Sequence, residues 1–198
     1  MTGRTGAEHE YAVLERHVRF QGTIFSVLSD VVAMPDGKTA VRDFTRHLGA
    51  VGVVALDDEG RVVLVRQYRH PVGEYLWELP AGLVDKRGEE SVRTGMRELA
   101  EEADLTAGRW DLLVEIHTSP GYSDEFIRIF LARDLSPVPP ERRHQREHEE
   151  ADMTVRMVHL DEAVTMALRG EMTNAAAVAG VLAAARARDE AWAPLRPA

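Results

Sequence analysis

Residues 90–103, with the sequence ESVRTGMRELAEEA, restrict how this chain can fold more than any other segment. The apolar side chains Val92, Met96, Leu99 and Ala103 recur at steps of four and three residues, which is the period of an amphipathic helix. Such a helix must bury its apolar stripe against another layer of structure. The segment therefore predicts a helix that packs on its neighbours.

The same helix carries a cluster of acids. Glu98 and Glu102 are four residues apart and share one face, with Glu101 beside them. Like charges at this spacing destabilise a helix by about 0.2–0.5 kcal/mol per pair. Taken alone, the cluster is compatible with a solvated acidic face that Arg97 partly neutralises.

The loop in front of the helix favours a different reading. Residues 80–88, PAGLVDKRG, contain a proline and glycines that turn the backbone, so a carbonyl can point at the carboxylate face. Carboxylates, backbone carbonyls and water are the ligands that Mg²⁺ prefers. Loop and helix together predict a site for a divalent cation.

The surrounding pattern predicts an α+β fold. An N-terminal antiparallel sheet is expected over 10–47, and a hairpin over 50–69, where two Val-rich runs flank DDEG. Two further strands are expected around the turn at 120–124, and a helix capped by Asn174 near the C-terminus. This order favours helices packed on a mixed sheet.

Charge and composition exclude several classes of function. The net charge of −9 opposes binding to a nucleic-acid backbone. The longest apolar run, at 175–185, is shorter than the roughly 20 residues of a membrane span. No cysteine is present, and the polar N-terminus does not resemble a secretory signal. We therefore expect a cytoplasmic protein that binds neither nucleic acid nor membrane.

The stretch GLVDKRGEESVRTGMRELAEEADL, residues 82–105, resembles the Nudix box, Gly-x5-Glu-x7-Arg-Glu-aliphatic-x-Glu-Glu-x-Gly-aliphatic. Eight of its positions match, namely Gly82, Glu89, Arg97, Glu98, Leu99, Glu101, Glu102 and Leu105. Two positions depart from the box. Six residues rather than five separate Gly82 from Glu89, and Asp104 replaces the last glycine. That glycine position is expected to need a left-handed backbone, which Asp tolerates at a cost of roughly 1–2 kcal/mol.

The resemblance implies a Nudix fold, with a mixed β-sheet packed between helices, and a metal-dependent hydrolase. By position, Glu98 and Glu102 would be the principal ligands of Mg²⁺, which Mn²⁺ could replace. Glu101 would be a secondary ligand, and the Ala81 carbonyl a backbone ligand. Three further residues would have structural roles: Gly82 in the loop, and Glu89 and Arg97 in holding the loop to the helix.

Features outside the box resemble the ADP-ribose pyrophosphatase branch of the family. They are Pro120, 15 residues beyond the box, the entry segment LWELPAGL at 76–83, and the N-terminal sheet. The branch implies hydrolysis of ADP-ribose to AMP and ribose 5-phosphate by a homodimer. Residues 1–47 would form a sheet exchanged with the partner subunit, and 48–198 the catalytic domain.

The branch also implies residues for catalysis and substrate binding. Its late acidic loop resembles HEEADM at 148–153, where Glu150 would be the catalytic base, with Glu149 as the alternative and Glu147 a more distant one. A solvated charged loop is the competing interpretation of this segment. Substrate-binding residues would be Arg46 and Arg69, on the diphosphate, and Glu125, on metal or ribose.

Other functions remain open at this point. The alternatives are a pyrophosphatase acting on nucleoside triphosphates or other nucleotide sugars, and a non-catalytic Nudix module that binds a nucleotide and regulates a partner. Non-catalytic modules usually have a damaged box, whereas Glu98, Glu101 and Glu102 are all present here. The intact acids favour the enzyme.

Overall fold

The computed structural model describes residues 10–85, 88–146 and 151–198. The chain divides into two compact units. The first comprises the chain up to Leu48 together with Ser119–Glu125. The second comprises Gly49–Thr118 and Phe126–Ala198, and it contains the box segment.

The first unit is built on a three-stranded antiparallel sheet. Its strands are β1 (Val13–Gln21), β2 (Phe25–Ala33) and β3 (Thr39–His47), in the order β1-β2-β3. Every residue of β1 is exposed. The predicted antiparallel N-terminal sheet is confirmed.

The second unit contains two sheets and three helices. The five-stranded sheet has the order β11-β8-β9-β4-β7, and the three-stranded sheet has the order β10-β5-β6. The strands are β4 (Ala50–Ala55), β5 (Arg61–Arg69), β6 (Glu74–Glu78), β7 (Ala81–Leu83), β8 (Leu105–His117), β9 (Phe126–Pro137), β10 (Thr154–His159) and β11 (Arg196–Pro197). The helices are α1 (Ser91–Ala103), α2 (Leu160–Leu168) and α3 (Ala175–Asp189).

The prediction of a β-hairpin over 50–69 is wrong. Strands β4 and β5 form as predicted, but they belong to different sheets and share only the bridge between Leu56 and Val62. Strand β4 instead pairs in parallel with β9 and antiparallel with β7. Because β4 and β9 run parallel, the five-stranded sheet is mixed, as the resemblance implied.

Alternate residues of β4 build the two halves of the core. Val53 and Ala55 are fully buried in one cluster with Leu99 of α1. Val54, also fully buried, belongs to a second cluster that includes residues of α2 and α3. Side chains of a strand alternate between faces, so helices cover both sides of this sheet. The predicted packing of the mixed sheet between helices is confirmed.

Helix α3 approaches the sheet very closely at Gly180. A Cβ at this position would lie 2.8 Å from Leu79 Cδ1 and 3.1 Å from both Ile129 and Val54. Glycine is therefore the residue that lets α3 pack at this distance. The helix begins as predicted, with Asn174 Oδ1 accepting a hydrogen bond from the Ala177 N–H at 3.0 Å. None of the helices in the described part of the chain is long and apolar enough to cross a membrane.

Candidate active site

Two buried carboxylates of α1 lie against strand β7. Glu98 and Glu102 are only 8% and 3% exposed. Strand β7 is held by β4, where Ala81 pairs with Gly52. The Ala81 N–H donates a hydrogen bond to Glu102 Oε2 at 2.9 Å, which ties the box loop to the helix. The two carboxylates are thus buried on the face of α1 that meets the box loop.

Gly82 makes room for one of these carboxylates. A Cβ on Gly82 would lie 2.1 Å from Glu98 Oε1 and 2.2 Å from Glu98 Cδ, far closer than atoms can approach. Its φ is not in the left-handed region, so close approach rather than backbone freedom explains the glycine. The structural role predicted for Gly82 therefore has a physical basis in the space that Glu98 occupies.

Gly82→Ala is expected to displace the Glu98 carboxylate and weaken divalent-cation binding by about 10- to 100-fold, the usual effect of disturbing a ligand's support. Mn²⁺ affinity from electron paramagnetic resonance and the Mg²⁺ dependence of activity both check this. Gly52→Ala is the matched control, because its Cβ would meet only ordinary contacts at 3.7 Å. Equal cation affinity in Gly82→Ala and wild type would contradict the expectation.

Arg97 organises the acids on this face of α1. Its Nη1 donates to Glu98 Oε1 at 2.6 Å and to Glu101 Oε2 at 3.2 Å, and Asp85 lies 3.9 Å from Nη2. Partial burial lowers the pKa of the Arg97 guanidinium, whereas Glu98 and Glu101 raise it, and the net shift is upward. Arg97 therefore stays charged and limits the repulsion between the acids.

Glu89 and Arg97, which were both expected to hold the box loop to the helix, form hydrogen bonds or ion pairs with different partners. Glu89 precedes α1, and its Oε2 accepts a hydrogen bond from Thr94 Oγ1 at 2.8 Å. Arg97 instead reaches back to Asp85 of the loop. Each side chain thus joins loop and helix, but through its own partner.

The donor set suits a hard divalent cation. Glu98, Glu101 and Glu102 supply oxygen ligands, and the β7 backbone at Ala81 lies at their side. Within residues 10–85, 88–146 and 151–198, no three Asp, Glu or His side chains are already grouped as ligands. Arg97 holds Glu98 and Glu101 in its own hydrogen bonds. The ligand assignment therefore stays a prediction. It is supported by the shared helix face of the acids and by the space that Gly82 leaves for the Glu98 carboxylate.

The end of α1 explains how the box tolerates Asp104. This residue has φ 55° and ψ 35°, the left-handed conformation expected at the glycine position. Its N–H donates to the Leu99 carbonyl, and its side chain accepts a hydrogen bond from Arg146 Nη2 at 2.9 Å. Asp104 therefore keeps the left-handed turn expected at the glycine position and adds a carboxylate at this helix end.

The predicted catalytic bases Glu150 and Glu149, with Glu147, lie outside the described residues. The residues that flank them are described. Arg146 binds the C-terminal end of α1, and Asp152 Oδ2 accepts a hydrogen bond from the Tyr75 hydroxyl at 2.6 Å. Both contacts lie within the second unit.

Arg69 forms a two-point ion pair with Glu78. Its Nε and Nη2 donate to the two carboxylate oxygens at 2.9 and 2.6 Å, and Glu78 is only 2% exposed. Sequence reasoning missed Glu78. An acid inside the apolar run LWELP was the available signal, since a buried charge requires a partner. Diphosphate binding by Arg69 stays a prediction.

Arg69→Ala is expected to destabilise the protein by about 2 kcal/mol, because the buried Glu78 carboxylate loses a two-point partner. Urea unfolding measures this loss. Arg109→Ala is the control, since buried Asp111 would keep its bond to Arg133 at 2.7 Å, and we expect a loss below about 1 kcal/mol there. Equal losses in both variants would contradict the interpretation.

The remaining predicted substrate residues belong to the first unit. Arg46 Nε lies 3.9 Å from Asp124 Oδ2, and Glu125 Oε1 lies 3.6 Å from His47 Nδ1. The Thr45 N–H donates to the Tyr122 carbonyl at 2.8 Å, so residues 119–125 are joined to β3. Arg46 and Glu125 are thereby brought to the same edge of the small sheet.

Comparisons with known proteins identify the family to which the chain belongs. The NUDIX domain family model matches residues 46–179. An ADP-ribose pyrophosphatase of Mycobacterium tuberculosis is 46% identical over 89% of this chain and 84% of that protein. An ADP-ribose pyrophosphatase of Bacillus subtilis is 37% identical over 79% of this chain and 82% of that protein.

A solved structure extends the similarity to the fold. The crystal structure of an ADP compounds hydrolase superposes with a TM-score of 0.79 at 19% identity, covering 94% of this chain and 98% of that one. The residues matched by the family model, 46–179, include the whole of helix α1. The chain belongs to the Nudix family of hydrolases, which generally act with divalent metal ions.

Proposed function

We propose that this protein hydrolyses the diphosphate of ADP-ribose to AMP and ribose 5-phosphate, with Mg²⁺ as its cation. One observation carries the proposal: the buried Glu98 and Glu102 carboxylates lie beside Gly82 and Ala81 in a chain 46% identical to a protein named ADP-ribose pyrophosphatase. The site supports metal-dependent hydrolysis, and the relative supports the substrate.

The box residues would bind the cation. Glu98 and Glu102 would be the principal ligands, with Glu101 and the Ala81 carbonyl completing the protein's share. A bound divalent cation would supply charge neutralisation at the diphosphate and acidify the attacking water. Mn²⁺ prefers the same oxygen donors and is expected to substitute.

The chain's other residues would bind substrate and move the proton. Arg46 and Arg69 would hold diphosphate oxygens, because a guanidinium donates in a fork that fits them. Glu125 would assist at metal or ribose. Glu150, or Glu149 beside it, would accept the proton of the attacking water, as an ionised carboxylate can at neutral pH.

A substrate panel tests the activity. The protein is incubated with ADP-ribose, other nucleoside diphosphate derivatives and nucleoside triphosphates at millimolar Mg²⁺, and products are separated by chromatography. Preference for ADP-ribose supports the proposal. Preference for a nucleoside triphosphate or another nucleotide sugar would show that this compound, and not ADP-ribose, is the substrate. Tight ADP-ribose binding without hydrolysis favours the non-catalytic regulator.

We also propose a homodimer in which the sheet of residues 1–47 is exchanged between subunits and completes the partner's site. Strand β1 is exposed along its length, with Leu14, Val18 and Phe20 each more than half exposed. The sheet of residues 10–47 is too small to form a stable core by itself. The apolar side chains of β1 are therefore suited to cover by a second copy of this chain.

The homodimer makes specific activity depend on protein concentration. We expect activity per mole to fall when the protein is diluted below the dissociation constant of the dimer, because the shared site is then incomplete. Analytical ultracentrifugation and activity measured over the same dilution series check this. A monomer with full activity at nanomolar concentration would refute the shared site.

A further inference from the structure

Glu78 and Arg69 form an ion pair but differ in their exposure to solvent. The Glu78 side chain is 2% exposed, whereas the Arg69 side chain is 43% exposed. Arg69 donates to the two Glu78 oxygens through Nε and Nη2, at 2.9 and 2.6 Å. Because a guanidinium is planar, Nη1 lies on the side remote from this carboxylate. The buried acid thus fixes the orientation of a cation whose side chain extends to the protein surface.

The strand register places this pair on the side of the sheet that faces α1. Glu78 is opposite Val65, and Arg69 lies four residues further along β5. Residues at alternate positions of a strand share a face, so Val63, Val65 and Arg69 lie on the same side of β5. Val63 is fully buried in one core cluster with Leu99 of α1. Arg69 therefore lies on the face of β5 that packs, further back along the strand, against the helix of the box acids.

Glu78 is also joined to the box loop by a short stretch of chain. It ends β6, and Ala81 begins β7 three residues later, a span of at most about 11 Å. Between them, the Pro80 carbonyl accepts the Val53 N–H at 2.9 Å. The Ala81 N–H in turn donates to Glu102 at 2.9 Å. This stretch therefore forms the ion pair at its first residue and borders the proposed cation site at its last.

We propose that Glu78 is a positioning residue for hydrolysis, which holds the Arg69 guanidinium in place for the diphosphate beside the box cation site. This role rests on the proposed function, in which Arg69 and the cation bind the same diphosphate. An arginine side chain has many rotamers, and a partner that fixes one of them removes this ordering cost from substrate binding. Since a misplacement of about 1 Å can lower a rate about 100-fold, the two-point contact would supply accuracy.

Glu78→Gln tests this role. Glutamine keeps the size of the side chain, but an amide N–H₂ replaces one of the two oxygens that accept from the Arg69 fork. We expect kcat/KM for ADP-ribose to fall about 10- to 100-fold, while the Mg²⁺ concentration that gives half-maximal activity stays within about twofold of wild type. Glu78→Asp keeps the charge and both acceptor oxygens and should recover part of the loss. Steady-state kinetics well below the thermal midpoint of each variant measure these values.

Asp111→Asn is the matched control within the second unit. Asp111 is 5% exposed, and its carboxylate accepts hydrogen bonds from Arg133 at 2.7 Å and from Arg109 at 3.2 Å. The substitution also turns a buried, arginine-paired carboxylate into an amide, at residues without a proposed role in binding or catalysis. We expect both variants to have a lower thermal midpoint, but only Asp111→Asn to keep kcat/KM within about twofold of wild type. Equal losses of kcat/KM would mean that Glu78 acts through stability alone, which overturns the proposal.

A double-mutant cycle shows whether Glu78 acts through Arg69. Once Arg69 is replaced by alanine its orientation no longer matters, so adding Glu78→Gln should lower kcat/KM by less than about twofold. Additive losses, or an Arg69→Ala variant with the kcat/KM of wild type, overturn the proposal. If Glu78→Gln does not fold, Glu78→Asp takes its place in the cycle, and wild-type kcat/KM in that variant is the contrary result. A wild-type protein that fails to hydrolyse ADP-ribose overturns the proposed function instead.

Discussion

Glu150→Gln is expected to lower kcat for ADP-ribose hydrolysis by about 100- to 10,000-fold, the usual contribution of general-base catalysis. Glutamine keeps the size and polarity of the side chain but cannot accept a proton from water. Mg²⁺ and substrate affinities should remain close to wild type, because the proposed metal ligands and arginines are untouched. Steady-state kinetics and calorimetric titration with ADP-ribose in Ca²⁺ measure the two effects separately.

Glu149→Gln is the matched comparison, since it makes the same chemical change one residue away. A fall in kcat in Glu149→Gln with a normal Glu150→Gln would move the base by one position. Normal rates in both variants would mean that the segment is a solvated run of charge. The base would then have to lie among the box glutamates.

Glu102→Gln should reduce activity at low Mg²⁺ by at least about 100-fold and be partly restored at high Mg²⁺, because a cation site loses several kcal/mol when a ligand loses its charge. In the wild type the Ala81 N–H donates a hydrogen bond to Glu102 Oε2 at 2.9 Å. Glutamine can still accept this hydrogen bond through its amide oxygen. The variant thus removes charge while retaining the link between loop and helix. Titration of activity against Mg²⁺, with thermal unfolding alongside, checks the expectation.

Glu90→Gln is the control for the metal-site variant. Glu90 belongs to the same segment, but its side chain is 75% exposed and forms an ion pair with Arg93 at 3.5 Å. The Mg²⁺ dependence of activity in the Glu90→Gln variant should match that of the wild type. Failure of added Mg²⁺ to restore any activity in Glu102→Gln would indicate that Glu102 does more than hold the cation.

Local patterns predicted the elements of this fold well where local physics decides them. The apolar period over 90–103 became α1, and Asp104 adopted the left-handed conformation that its position demanded. The hairpin over 50–69 failed for a complementary reason. Two Val-rich runs joined by a turn satisfy the rules for a hairpin, but β4 is buried on both faces between β7 and β9. Partners distant in sequence decided its pairing.

The contacts around the site were beyond local patterns for the same reason. Arg146 and Asp104 are 42 residues apart, and Tyr75 and Asp152 are 77 apart. Neither pair has a spacing that a helix or strand period would reveal. The box acids Glu98, Glu101 and Glu102 could be singled out because a short motif places them on one helix, whereas the contacts that support them require the tertiary fold.

The close approach of α3 at Gly180 makes a distant position useful to a protein engineer. A methyl group there would come within 2.8 Å of Leu79, which immediately precedes the turn into Ala81 and Gly82. Larger side chains at position 180 would therefore displace Leu79, and with it the start of the box loop, through packing alone. Position 180 thus offers a graded control of loop geometry that leaves every acid and arginine of the site unchanged.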